Sequence, residues 1–247
     1  MIEKEKIFNT TRVKLFLDDI DKNLSDKLIV YMIGGGAMCL RNLKDTTFDI
    51  DLIVLSKKEF DLLYFALKSA GYDVVDQELF KEAVYKNAVV VFQKGPSRID
   101  VFIKNIVGML DFSKRMVARA EVFEKKDNLK ICLASNTDIL LLKSLSDREK
   151  DLDDIESLLR ENIDWQAIFK ECDLQKREGV RWIFFVYEQL CRLENAMNVQ
   201  IEWKNRVFNK CKELWKERPS DFMSDIENLE KHIPKQYLKD VGVEKNA

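Results

Sequence analysis

The chain reads as an α+β fold. Three observations predict it. Apolar and polar residues alternate along residues 47–55 with the period of a strand, residues 88–103 read as a hairpin around Gly95 and Pro96, and from about residue 136 onward the apolar residues return at helical spacing. Strands and helices thus interleave in a first domain, residues 1–135, and helices alone fill a second, residues 136–247.

The elements follow in order. Val13, Phe16, Leu17, Ile20 and Leu24 recur on one face of a helix over residues 10–24. Residues 28–33 form a short apolar run ended by glycines, a buried strand, and residues 37–42 follow as a short helix. In the strand 47–55, Phe48, Ile50, Leu52 and Val54 fall on one face and Asp49 and Asp51 on the other. Ser56 with Glu59 three residues on makes a capping box. Phe60, Leu63, Tyr64 and Leu67 give its helix an apolar face, and Gly71 stands where a C-terminal cap belongs. Residues 88–92 and 98–103 are the hairpin strands, and in the second Arg98 and Asp100 share a face opposite Ile99, Val101 and Ile103. Helices are expected over 138–146, 150–160, 165–170, 180–195, 203–215 and 221–231. All four tryptophans lie in this half, which points to a helical core of its own.

Composition narrows the function. A 46% hydrophobic chain of 247 residues can fill a core and is not disordered. Its 41 basic and 43 acidic side chains nearly cancel, so no global field advertises a polyanion partner, although residues 94–130 carry nine basic against five acidic groups. Five widely spaced cysteines without a CxxC pair argue against a disulfide frame or a zinc knuckle, and a reducing cytoplasm is the expected compartment. The charged start of the chain does not read as a signal peptide, and no apolar run is long enough for a membrane span. The single histidine, His232, reads as a surface residue. Any catalysis therefore falls to carboxylates.

Three of the eight glycines are consecutive at Gly34, Gly35 and Gly36, where a strand turns into a helix. Glycine admits positive φ and lets a phosphate approach backbone amides, but it equally serves a tight strand-to-helix contact. Asp49 and Asp51, one residue apart on a strand, point the same way with Cα atoms about 7 Å apart. Such a pair is either solvated at a sheet edge or bridged by a hard divalent cation that keeps positions open for phosphates. Asp100 adds a third carboxylate on a later strand. The charge-dense run 147–154 reads as a solvated helix face. The apolar stretch Trp182, Phe184, Phe185, Val186 and Tyr187 reads as buried helix.

Taken together, Ile33-Gly34-Gly35, a spacer, Asp49-Ile50-Asp51-Leu52 and then Ile99-Asp100-Val101 resemble the pattern of the nucleotidyltransferase fold, the polymerase-beta-like superfamily. Within it, Gly35-Gly36-Ala37 and Thr47-Phe48-Asp49-Ile50-Asp51-Leu52 are most similar to small prokaryotic nucleotidyltransferases of toxin–antitoxin and phage-defence systems, including the AbiEii-like group. Lys143, Arg148, Lys150 and Asp151 fit the spacing of the lysine, then arginine, then Lys-Asp that this group often carries early in its helical part. The resemblance spans roughly half of the chain, from Ile33 to about Ile155. Where many relatives place an arginine two residues before the threonine, this chain has Asp45, next to Lys44.

The resemblance implies a mixed sheet flanked by helices, followed by an all-helical C-terminal part. It implies magnesium or manganese held by Asp49, Asp51 and Asp100 as catalytic ligands. A nucleoside triphosphate such as ATP would be contacted by Gly34, Gly35, Lys143 and Arg148. It further implies transfer of a nucleoside monophosphate to a hydroxyl on tRNA, on a partner toxin or antitoxin protein, or on an aminoglycoside. Lys143 has a plainer reading, in which it complements the end of its helix. The competing functional readings are an antitoxin-like module that acts through protein contacts and a domain that binds nucleotide without turnover.

Overall fold

The computed structural model describes residues 8–75, 90–106, 110–144, 150–175, 179–217 and 239. The chain divides into two compact units, Met1–Ser135 and Asn136–Ala247.

The first unit opens with helix α1 (Thr10–Asn23), whose N-cap Asn9 accepts from the Arg12 amide and whose buried face is Val13, Phe16, Leu17 and Ile20. Strand β1 (Leu28–Ile33) leads through α2 (Gly34–Leu40) to β2 (Asp49–Val54), and α3 (Lys57–Ser69) follows. The capping box is present: Ser56 Oγ accepts from the Glu59 amide at 3.2 Å, and the Glu59 carboxylate accepts from the Leu55 amide at 2.8 Å. Gly71, at φ +83, ends the helix as expected of a left-handed C-terminal residue. After β3 (Asp73–Val74), strands β4 (Val90–Lys94) and β5 (Ser97–Ile103) form the expected hairpin, with Lys94 paired to Ser97 across Gly95 and Pro96. Residues 88 and 89, placed in the first hairpin strand, lie outside the described residues. The unit closes with β6 (Asn105–Ile106), β7 (Leu110–Asp111), α4 (Lys114–Arg119), β8 (Glu121–Lys125) and β9 (Leu129–Leu133).

Seven strands make one mixed sheet in the order β3-β4-β5-β2-β1-β9-β8. β1 runs antiparallel to β2 and parallel to β9, and β2 runs parallel to β5. β1 lies inside the sheet with a strand on either side, which is why LIVYMI carries no charged residue. Helices flank the sheet, with α1 and α3 packed on each other and against it. The α+β class with a mixed sheet and helices beyond it is therefore the observed architecture.

Local departures have physical causes. Helix α2 begins at Gly34, three residues earlier than its apolar pattern suggests, because the glycines themselves form its first turn. Phe48 is 57% exposed and lies just before β2, outside the core its alternation assigned to it. The strands β8 and β9 and helix α4 carry sequence signals too short or too charged to stand out. β9 is five residues, and β8 is an edge strand rich in Glu and Lys.

In the second unit the described helices are α5 (Asn136–Lys143), α6 (Lys150–Leu159), α7 (Trp165–Leu174), α8 (Gly179–Met197) and α9 (Lys204–Glu217). α8 packs against α7 and α9 and buries Trp182, Phe184, Phe185, Val186 and Tyr187, the stretch expected to be buried helix. The helix expected over 221–231, His232 and Arg148 fall outside the described residues. Among the described residues no helix is long and apolar enough to cross a membrane.

Candidate active site

The sheet register assembles the carboxylates. β2 and β5 are parallel neighbours with Asp49 opposite Arg98 and Asp51 opposite Asp100. Paired residues on adjacent strands project to the same face, about 4.8 Å apart across the ladder. Three carboxylates and one guanidinium thus occupy the corners of a small lattice in the middle of the sheet. The opposite face carries Ile50, Leu52, Ile99 and Val101, all buried. Asp49 and Asp51 are half-buried, and Asp100 is 7% exposed.

Arg98 holds Asp100 through two bonds. Its Nε donates to Asp100 Oδ1 at 2.7 Å and its Nη2 to Oδ2 at 3.0 Å. This is the bidentate geometry in which a guanidinium matches a carboxylate, and it fixes the plane of the Asp100 carboxyl. Arg98 and Asp100 share the face that the alternation of their strand assigns to them, and there they form an ion pair.

The glycine turn completes the frame. Gly34 has φ +61, a conformation open to glycine and strained for other residues. A Cβ on Gly34 would fall well under 3.0 Å from Asp51 Oδ2, and a Cβ on Gly35 would come as close to Thr47 Oγ1 and 2.9 Å from Thr47 Cβ. Both glycines therefore stand where they do because side chains of the carboxylate segment rest on their backbone. Thr47 is itself pinned by a two-way backbone bridge to Phe8, with N–H to O distances of 2.7 and 2.8 Å. It belongs to the quoted Thr-x-Asp-Ile-Asp-Leu motif but had no role assigned from sequence. Its contact with Gly35 supplies one.

These residues suit a hard divalent cation by donor chemistry, since all three acids offer oxygen. The oxygens of Asp100 are engaged by Arg98. Among the described residues no group of three or more His, Cys, Asp or Glu side chains is gathered as a metal site. Asp100 would join such an ion by turning from Arg98.

Lys143 lies in the second unit and has dedicated partners there. Its ammonium is 2.7 Å from Asp151 Oδ1 and 2.6 Å from Asp154 Oδ2; both carboxylates are buried, and the lysine side chain is 11% exposed. Burial alone would pull this lysine's pKa down. The two carboxylates outweigh that and hold it above the ordinary lysine value. Asp151 and Asp154 fall in the run read from sequence as a solvated helix face, and both are buried instead. Their burial follows from the lysine that neutralises them. Lys150 shares α6 with them.

Compared with models of known protein families and with curated proteins, the chain matches none.

Proposed function

We propose that the chain is a metal-dependent nucleotidyltransferase that moves a nucleoside monophosphate from a nucleoside triphosphate to a hydroxyl on RNA or protein. One observation carries this reading: Asp49, Asp51 and Asp100 share one face of two register-paired parallel strands, with the Gly34 backbone against Asp51. The motif resemblance supports it from the sequence side.

In this reading Asp49, Asp51 and Asp100 would hold magnesium or manganese, and the bound ion would supply positive charge against the phosphoryl group under attack and acidify the attacking hydroxyl. The strand backbones fix where Asp49 and Asp51 stand, so the rearrangement that ligand binding requires is that of the Arg98–Asp100 pair. Arg98 releases Asp100 to the site and keeps a positive charge beside Asp49. Asp100 then takes the proton of the acceptor hydroxyl as its oxygen bonds to the α-phosphorus. The bond from that phosphorus to the bridging oxygen breaks, and pyrophosphate leaves. Nucleotide contact by Gly34 and Gly35 is through backbone atoms, the only ones glycine has, and Asp51 and Thr47 occupy the space a Cβ at each would take.

A second reading, nucleotide binding without turnover, draws on the bidentate hold of Arg98 on Asp100. One experiment separates the two. The full chain and Asp51→Ala are incubated with each α-labelled nucleoside triphosphate, magnesium or manganese, and RNA and protein of a cell extract. Label on tRNA or on a protein band with the wild type alone supports the transferase and names its acceptor. Nucleotide binding with no pyrophosphate released supports the second reading and sinks the first.

A further inference from the structure

The helical unit carries a groove of about 540 Å³ between α7 and α9 that the proposed chemistry does not use. The two helices run side by side in the same direction. Trp165 at the start of α7 stacks on Trp203, just ahead of α9, with ring centroids 5.3 Å apart and planes 13° from parallel. Further along, Lys210 of α9 lies 3.3 Å from Asp173 of α7.

The groove is chemically polar along its length. Toward the tryptophans it is lined by Lys170 and Arg206, by the amide side chains Gln166 and Asn209, and by the half-buried ring of Phe169. The Arg206 guanidinium sits 4.3 Å from the centroid of the Trp203 ring. That stacking orients its plane and leaves its N–H edges for a ligand. At the other end Lys210 is compensated by Asp173 at 3.3 Å and Glu213 at 3.7 Å. Among the described residues Lys170 and Arg206 form no ion pair, so their positive charge stands beside the aromatic ring and the two amides.

We infer that this groove binds a nucleic-acid strand, with Lys170 and Arg206 on phosphates and Phe169, Gln166 and Asn209 against a base. Cations along a backbone beside an aromatic stacking surface are what single-strand recognition requires. An acidic peptide would satisfy the cations but offers no base for the ring and the amides. The volume suits one or two nucleotides by the scale of small-ligand clefts, about 300–1,000 Å³. The inference goes beyond the transferase reading and does not depend on the carboxylates of the first unit.

The test is fluorescence anisotropy of the full chain with a labelled single-stranded RNA at low salt. Each neutralised phosphate contributes a salt slope of about 0.7 for single strands, so Lys170→Gln and Arg206→Gln should each weaken binding about eightfold at about 50 mM salt, and each should lower the slope by about 0.7. Lys212→Gln is the control: it makes the same charge change on α9, but Lys212 lies over the Phe208 ring and does not line the groove. It should leave affinity unchanged, and thermal melts establish that all variants fold. Asp51→Ala should bind RNA like the wild type, so loss of transfer and loss of RNA binding are separate results. The inference is overturned if the wild type does not bind RNA, if Lys170→Gln and Arg206→Gln bind as the wild type does, or if Lys212→Gln weakens binding equally. Displacement of the RNA by an equal concentration of polyglutamate also overturns it.

Discussion

The contact between Gly34 and Asp51 makes a quantitative prediction for Gly34→Ala. At φ +61 an alanine carries the left-handed penalty, about 1–2 kcal/mol. Its Cβ would also meet Asp51 Oδ2 well under 3.0 Å and Asp51 Cγ at 3.4 Å, so the carboxylate must leave its rotamer. That costs about 1 kcal/mol more. Alanine recovers about 0.4–1 kcal/mol by stiffening the unfolded chain. The net expectation is a loss of about 1–2 kcal/mol. In an Asp51→Ala background the carboxylate is gone and the nearest remaining atom, Asp51 Cβ, is at an ordinary 3.8 Å. Only the backbone term then survives, and the cost should fall by about 1 kcal/mol, within the range expected of coupled neighbours. Urea unfolding of the four proteins in a double-mutant cycle, with EDTA present, measures this. Equal costs of Gly34→Ala in both backgrounds would refute the argument that the glycine exists to admit the carboxylate.

Three further outcomes follow from other parts of the molecule. Lys143→Met leaves Asp151 and Asp154 buried without their cation and should destabilise the chain by about 3–5 kcal/mol in urea, whereas a lysine serving phosphate alone would change activity and leave the unfolding midpoint in place. Burial, with Asp19 adding to it, pushes the Tyr72 phenol up to about 12. A raised folded pKa means stability is intact below pH about 10 and lost as pH climbs toward 12, by about 3 kcal/mol, and Tyr72→Phe should remove that part of the alkaline loss in a pH series of urea melts. All five cysteines are buried, and burial raises the Cys132, Cys172 and Cys211 thiols. A thiol reagent should therefore label none in the native chain and five after unfolding, and fast native labelling would contradict the packing.

Much of the fold was legible from local signals. The capping box at Ser56 and Glu59 reads from four residues because the bonds it makes are within one helical turn. The alternation of residues 49–54 put Asp49 and Asp51 on one face because side-chain direction in a strand depends only on parity. The Gly95-Pro96 hairpin and the apolar stretch of α8 were readable for the same reason. β9 was missed although it lies beside β1, since five residues carry too little periodicity to separate a strand from noise. Asp151 and Asp154 were misread as solvated because composition alone does not reveal that a lysine reaches both of them.

The sequence by itself therefore determined the α+β class, the direction of the two β2 carboxylates and the position of the glycine turn. These rest on backbone geometry that repeats every two or every 3.6 residues. Only the tertiary structure decided that Asp100 stands opposite Asp51, that Arg98 takes both of its oxygens, and that Asp51 and Thr47 lie where side chains on Gly34 and Gly35 would be. Register between strands some fifty residues apart is set by the burial of whole faces, and a shift of one residue would turn Asp100 into the core. The site is a product of that pairing, and no single segment of the chain contains it.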